Sequence, residues 1–259
     1  MADRPEQFRM YDGHPLAQGL VFAGLGRHVG SSHYRDSSPY GNHGVLTNMD
    51  PVTDWVWVPE LGRWAVDFDG VGDKVTCPAA GVPIGDTPFT LSSWCYLRVN
   101  GRFLGFGDGT WGTNLLFVNP KVYLQHRTST GVERYANSVL NSWHHVAGTY
   151  DGTNYSVAID GAGTGNTATY GASNLVDKEI RVGWGFSQGN VIIADTLLYD
   201  RALPPAEIQQ LADPSNVMLS GLILPPRRRL FASAGGAPAV NAPTGHLYGP
   251  LVGSLGGPV

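Results

Sequence analysis

His144 and His145 stand side by side in NSWHHVAGTYDG (residues 141–152), six residues ahead of Asp151. Imidazole and carboxylate groups bind zinc and move protons in acid–base catalysis. Neighbouring residues of an extended strand point to opposite faces, however, so two adjacent rings cannot easily grip one ion. The run reads instead as a strand. One ring is expected to turn inward beside Trp143 or Val146 with a hydrogen-bonded ring nitrogen, and the other to face outward.

Bond-cleaving carboxylates are the next chemistry to test. Glycoside hydrolysis needs two carboxyl groups, about 5 to 5.5 Å apart for retention or further for inversion, one of them kept protonated. The five glutamates, Glu6, Glu60, Glu133, Glu179 and Glu207, lie more than twenty residues apart. Asp67 and Asp69 in VDFDG are the one alternating pair and would share a strand face at about 7 Å. Asp69 opens an Asp-Gly turn, where backbone N–H groups favour its charged form and spoil it as a proton donor. No Ser-centred nucleophile elbow, Walker loop or zincin helix is present, and GLGRHVG (24–30) is followed by no helix pattern that would make it a phosphate cradle.

Two loop chemistries remain. RDSSPYGNHG (35–44) offers Asp36, Ser37, Asn42 and backbone carbonyls, the oxygen ligands Ca²⁺ selects; the same residues also cap tight turns. Tyr40 in SSPYGN, Trp111 in GDGTWGTN and Trp184 in VGWGFSQGN sit in glycine-rich loops, where an aromatic ring can stack on a sugar or simply cover a hairpin end. Trp55, Trp57 and Trp64, in WVWVPELGRW, are expected mostly in the core or against a neighbouring chain.

The elements that must position these groups alternate with period two. WAVDFDG sets Val66 and Phe68 against Asp67 and Asp69, and FTLSSWCYLRV sets Phe89, Leu91, Ser93 and Cys95 against Thr90, Ser92, Trp94 and Tyr96. Further strand-like runs follow at roughly ten-residue intervals with Gly, Asn or Asp between them. Asp-Gly at 151–152 and 160–161 brackets YSVAID, so residues 143–150 and 155–160 are predicted to pair antiparallel. One helix is predicted near 204–212, where PPAEIQQLA has proline at its start and Ile208 and Leu211 on one face. Cys77 and Cys95 lie within strand-like runs and read as small apolar residues.

Composition agrees with an all-β chain: 35 Gly, 18 Pro and only 15% charged residues among 259. A net charge of −4, with 17 Lys and Arg dispersed along the chain, leaves no basic face for DNA or RNA. The start, MADRPEQFRM, has no apolar signal segment, and no run approaches the 18 to 20 apolar residues of a membrane span.

WHHVAGTYDGTNYSVAIDG resembles the strand–turn–strand hallmark of laminin-G-like, concanavalin A-like lectin/glucanase domains. GLVFAGLG, RDSSPYGNHGVL, WAVDFDGVGDKV, PFTLSSWCYL and IADTLLYDRALPPAEIQQL resemble successive motifs of that family in order, over about residues 16 to 212. The resemblance implies a jelly roll of two antiparallel sheets closed by the short helix. It also implies Ca²⁺ near the 35–44 loop in some members, with Asp36 and Asn42 joined by Asp195 from the last strand. Here the last strand carries Ile193-Ala194-Asp195, one carboxylate fewer than the family's usual pattern. Catalytic relatives carry alternating Glu, Asp and Glu on one strand, and this chain does not.

The organisation expected is a lead (1–15), a jelly-roll domain (16–224) and an extended arm (225–259). The arm opens with Arg227, Arg228 and Arg229. From Leu230 onward it has seven Gly, four Pro and no charged side chain, so it cannot build a core of its own. Phe231 and Tyr248 are its expected anchors on copies of the chain or on other virion proteins. Such an arrangement resembles products of bacteriophage structural gene clusters. It points to a non-catalytic virion surface component, assembled in the host cytoplasm, that carries a glycan-binding sandwich. A free-standing carbohydrate-binding module is the alternative, and a glycoside hydrolase the weaker one.

Overall fold

The computed structural model describes residues 9–11, 13–26, 29–107, 112–118, 121–126, 132–137, 140–163, 168–169, 179–183, 190–215 and 223–224. The chain divides into two units, residues 1–226 and 227–259, and all described residues belong to the first.

Strands dominate, as the period-two alternation requires. The first are β1 (Arg9–Met10), β2 (Leu20–Gly24), β3 (His33–Tyr34), β4 (Gly44–Thr47), β5 (Trp55–Val58), β6 (Arg63–Phe68) and β7 (Lys74–Cys77). Next come β8 (Phe89–Leu97), β9 (Gly101–Gly107), β10 (Gly112–Val118), β11 (Lys121–His126), β12 (Val132–Asn137), β13 (Trp143–Tyr150) and β14 (Asn154–Ile159). The last are β15 (Ala162–Gly163), β16 (Ala168–Thr169), β17 (Glu179–Val182), β18 (Val191–Tyr199) and β19 (Ile223–Leu224). The predicted helix is α1 (Pro205–Leu211), and a 3-10 turn covers Pro15–Ala17.

Two antiparallel sheets form the sandwich. One runs β12-β11-β10-β9-β17-β7-β4-β3; the other runs β15-β14-β13-β8-β18-β6-β5, with β2 and β16 added to β18 and β14. The predicted hairpin is present, with Val146 opposite Ile159 and Tyr150 opposite Tyr155. At its first turn Asp151 Oδ1 accepts the N–H groups of Thr153 and Asn154. β1 pairs with β19, so residues 9–10 of the lead meet residues 223–224.

Between the sheets lies the main core, which includes Phe22, Tyr34, Trp55, Val66, Phe68, Phe89, Leu91, Cys95 and Leu97. Among them, Val66 and Phe68 of β6 and Phe89, Leu91 and Cys95 of β8 are alternating residues that the sequence assigns to one face. The opposite face of β8 is also buried. Ile208 and Leu211 of α1 pack with Leu16, Ala147 and Leu197 over that side of the sheet, and Trp94 Nε1 donates to Leu211 O at 3.2 Å. Burying both faces of a central strand stabilises it by roughly 25 cal/mol for each Å² of apolar surface removed from water. Cys77 and Cys95 are buried free thiols, as their apolar settings predict, and burial pushes both upward in pKa.

Candidate functional site

The Trp-His-His strand resolves as a structural device. His145 is fully buried beside Trp94, edge-on at 5.5 Å, and its Nε2 shares a 2.8 Å hydrogen bond with Ser92 Oγ. That neighbour is its cross-strand partner; of the two expected neighbours Val146, next in the strand, points to the other face, whereas Trp143, two residues back, shares the face of His145 and packs in the Trp94 cluster. Burial pushes the His145 pKa down to about 3, so the ring is neutral at physiological pH.

His144 turns the other way and forms a row with the order of a hydrolytic triad. Ser142 Oγ lies 2.9 Å from His144 Nε2, and His144 Nδ1 lies 2.8 Å from Asp160 Oδ2. Catalysis by such a row needs free N–H donors converging on a developing oxyanion. The nearby N–H of Asn141 donates to Leu97 O, and that of His145 donates to Asp160 Oδ1. The row therefore ties the start of β13 to the turn after β14. Burial alone would raise the Asp160 carboxyl, but the His144 ring and the His145 N–H outweigh it and hold the pKa below the ordinary carboxylate value.

Asp67 and Asp69 are likewise committed. Arg98 grips both oxygens of Asp67, at 2.6 and 2.9 Å, and Asp69 Oδ1 accepts the Val71 N–H in the expected turn. A carboxylate with both oxygens taken by one guanidinium is occupied by that ion pair rather than open to a substrate.

The residues singled out for Ca²⁺ build something else. Asp36 Oδ1 accepts the N–H groups of Ala23 and Ser38, while Oδ2 accepts the Ser38 hydroxyl and the Asn42 N–H, all at 2.7 to 2.9 Å. Asn42 pairs with the peptide groups of Ala80: its Nδ2 donates to Ala80 O and its Oδ1 accepts from Ala80 N, both at 2.9 Å. Asp195 turns elsewhere and forms a buried ion pair with Arg63, whose guanidinium also donates to Leu61 O and Pro214 O. Ca²⁺ needs six to eight oxygens around one point. With Asp36 surrounded by donors and Asp195 held by Arg63, these three residues do not fit a shared ion. Among the described residues no group of three or more His, Cys, Asp and Glu is placed to hold a metal.

What the clamp does is display Tyr40. Loop 35–43 and the segment after β7 are locked together through Asn42 and Ala80, and the Tyr40 ring lies across Gly81 with 46% of the residue exposed. A Cβ at Gly81 would sit 2.2 Å from that ring, and Gly81 also has φ +75°. Both facts require glycine there. The sequence carried the Asp36, Tyr40 and Asn42 half of this arrangement; its second half, Ala80 and Gly81, was not singled out, and the glycine closing Pro78-Ala79-Ala80-Gly81 was the available signal.

The clamp stands at the end of the eight-stranded sheet where Cys77 ends β7, Gly107 ends β9 and Glu179 starts β17. Trp111 and Trp184 lie outside the described residues. Arg227, Arg228, Arg229, Phe231 and Tyr248 also lie outside the described residues. Of the WVWVPELGRW tryptophans, only Trp55 is buried; Trp57 and Trp64 are 52% and 37% exposed.

A family model described as Laminin_G_3, concanavalin A-like lectin/glucanases superfamily, matches residues 69–209, more than half of the chain. No curated protein matches it by sequence. Among solved structures, domain 4 of AbnA, a GH43 extracellular arabinanase from Geobacillus stearothermophilus seen with arabinotriose, is 17% identical with TM-score 0.61. That match covers 75% of this chain and 98% of that one. The binding domain of Paraclostridial Mosquitocidal Protein 1 is 15% identical with TM-score 0.60, covering 77% and 53%. Botulinum neurotoxin type C, whose cell entry depends on interaction with two ganglioside molecules, is 14% identical with TM-score 0.59, covering 76% and 52%. The chain spans about half the length of the two toxin chains it matches. These likenesses show a shared fold.

Proposed function

The chain belongs to the concanavalin A-like lectin/glucanases superfamily, and from that premise we propose that it is a non-catalytic glycan-binding domain that reads saccharides with its Tyr40 end. The observation that carries the reading is a half-exposed aromatic ring held on two loop segments cross-linked by hydrogen bonds. Ring faces bind the C–H side of sugars, and a preformed platform avoids the ordering cost of a mobile one. Saccharide-linked relatives, the arabinanase domain with arabinotriose and the neurotoxin with its gangliosides, support the ligand class. The structural bonds of Asp67, Asp69, Ser142, His144 and Asp160 support a role without bond cleavage. A glycan array probed with the full chain tests the reading: retention of one saccharide class, lost in Tyr40→Ala, supports it, and no retained glycan contradicts it.

A second reading concerns setting. The uncharged Gly/Pro composition of residues 230–259, after Arg227, Arg228 and Arg229, favours a virion surface component anchored through this arm to copies of itself or to other virion proteins. Deleting 230–259 should abolish incorporation into particles while leaving glycan binding intact. Unchanged incorporation contradicts this placement. Among the described residues no helix is long and apolar enough to cross a membrane.

A further inference from the structure

We infer that the outer edge of β5 is a self-association surface, on which a second copy of this chain adds its own β5 antiparallel about a two-fold axis through Val56. β5 is the last strand of its sheet, and among the described residues no strand pairs with its outer side. Sheet edges are normally protected by charge, proline or a bulge. Trp55-Val56-Trp57-Val58 has none of these; Pro51 and Pro59 stand beyond its ends.

The backbone fixes the register. Asp67 N donates to Asp54 O at 2.8 Å, one step before Trp55 meets Val66. Hydrogen-bonded and non-hydrogen-bonded pairs alternate along an antiparallel ladder. Asp54, Val56 and Val58 therefore aim their peptide groups at β6, while Trp55 and Trp57 aim theirs outward. A two-fold axis at Val56 places Trp55 against the partner's Trp57, and Trp57 against the partner's Trp55. Each such pair exchanges two N–H···O bonds, so all four outward groups on each copy find a partner. Shifting the axis to Trp57 would instead leave Trp55 facing the partner's Pro59, which has no N–H to give.

Side chains and charge agree with that occupant. Trp57 and Trp64 pack edge-to-face at 5.7 Å yet stay half exposed, and Val52 and Val29 are exposed too. Gly30 lies beside Pro51, so the segments that carry these two valines neighbour each other at the entry to β5. A two-fold contact sets a charge against its own copy wherever it lies on or near the axis, a penalty for a chain of net charge −4. In this register Asp54 faces the partner's Val58, and no charged residue of the strand meets its like. The exposed indole surface is well below the roughly 800 Å² per partner of a stable complex, so the association is weak and concentration-dependent.

Sedimentation equilibrium of the full chain, from about 10 µM to about 1 mM, tests this in the range of weak affinities. The wild type should shift from monomer toward dimer. Val56→Lys and Val56→Glu each place like charges on the axis and should stay monomeric, while their equimolar mixture should dimerise again. Melting curves establish that both variants are folded; if either is not, Trp57→Thr, on the open margin, takes its place and should be monomeric. A wild type that stays monomeric at about 1 mM, or a dimer that survives in both Val56 variants, overturns the inference. A dimer lost on deleting residues 230–259 but kept in the Val56 variants overturns it as well.

Discussion

Replacing Asp36 by Asn separates a turn-forming carboxylate from a metal ligand. In the wild type four donors point at two carboxylate oxygens. The cheaper amide orientation puts NH₂ in the Oδ2 position, where the Ser38 hydroxyl can rotate to accept but the Asn42 N–H cannot. One hydrogen bond to a charged group is then lost, worth about 1.5 to 3 kcal/mol, and the Ala23 and Ser38 N–H bonds fall to neutral strength. The sum is about 3 to 5 kcal/mol, or roughly 10 °C in Tm for a domain of this size. Thermal melts of wild type and Asp36→Asn with added Ca²⁺ and with a chelator should show the same loss in both, and the wild type should melt alike in both. A loss below about 1 kcal/mol, or one present only with Ca²⁺, refutes the account of this loop.

Gly81→Ala should push the Tyr40 ring off its seat and cost glycan affinity about tenfold or more in titrations, with a smaller effect on melting because the loop is exposed. Below the ordinary histidine pKa of about 6.5 the unfolded chain takes a proton that folded His145 refuses until about pH 3. Stability should thus fall with pH in that window, by about 2 kcal/mol between pH 7.5 and 5, and urea melts of His145→Gln should lose that part of the slope. Arg63→Met removes the buried ion-pair partner of Asp195 and should cost about 3 to 5 kcal/mol in denaturant melts, with Arg63→Met/Asp195→Asn recovering part of it.

Much of the sandwich was legible in sequence because alternation reports which residues share a face. The Phe89 to Leu97 strand, the 143–160 hairpin and the helix with Ile208 and Leu211 inward all follow from local pattern. Alternation does not report whether another sheet covers that face. Trp55 and Trp57 share one side of β5, yet only Trp55 meets Tyr34, while Trp57 reaches the open margin. Residue type was equally silent about Asp36 and Asn42, since oxygen groups that suit Ca²⁺ also suit backbone N–H. Their role depended on Ala23 and Ala80, 13 residues before Asp36 and 38 after Asn42. The adjacent histidines were resolved by register, which sets His145 opposite Trp94.

The most direct measurement is the affinity of the full chain for its array-selected saccharide in three forms: wild type, Tyr40→Phe and Tyr40→Ala. Stacking on the ring face predicts that Tyr40→Phe stays within about threefold of wild type while Tyr40→Ala weakens binding at least about tenfold, at unchanged melting temperature. Equal affinity of all three forms would contradict the account.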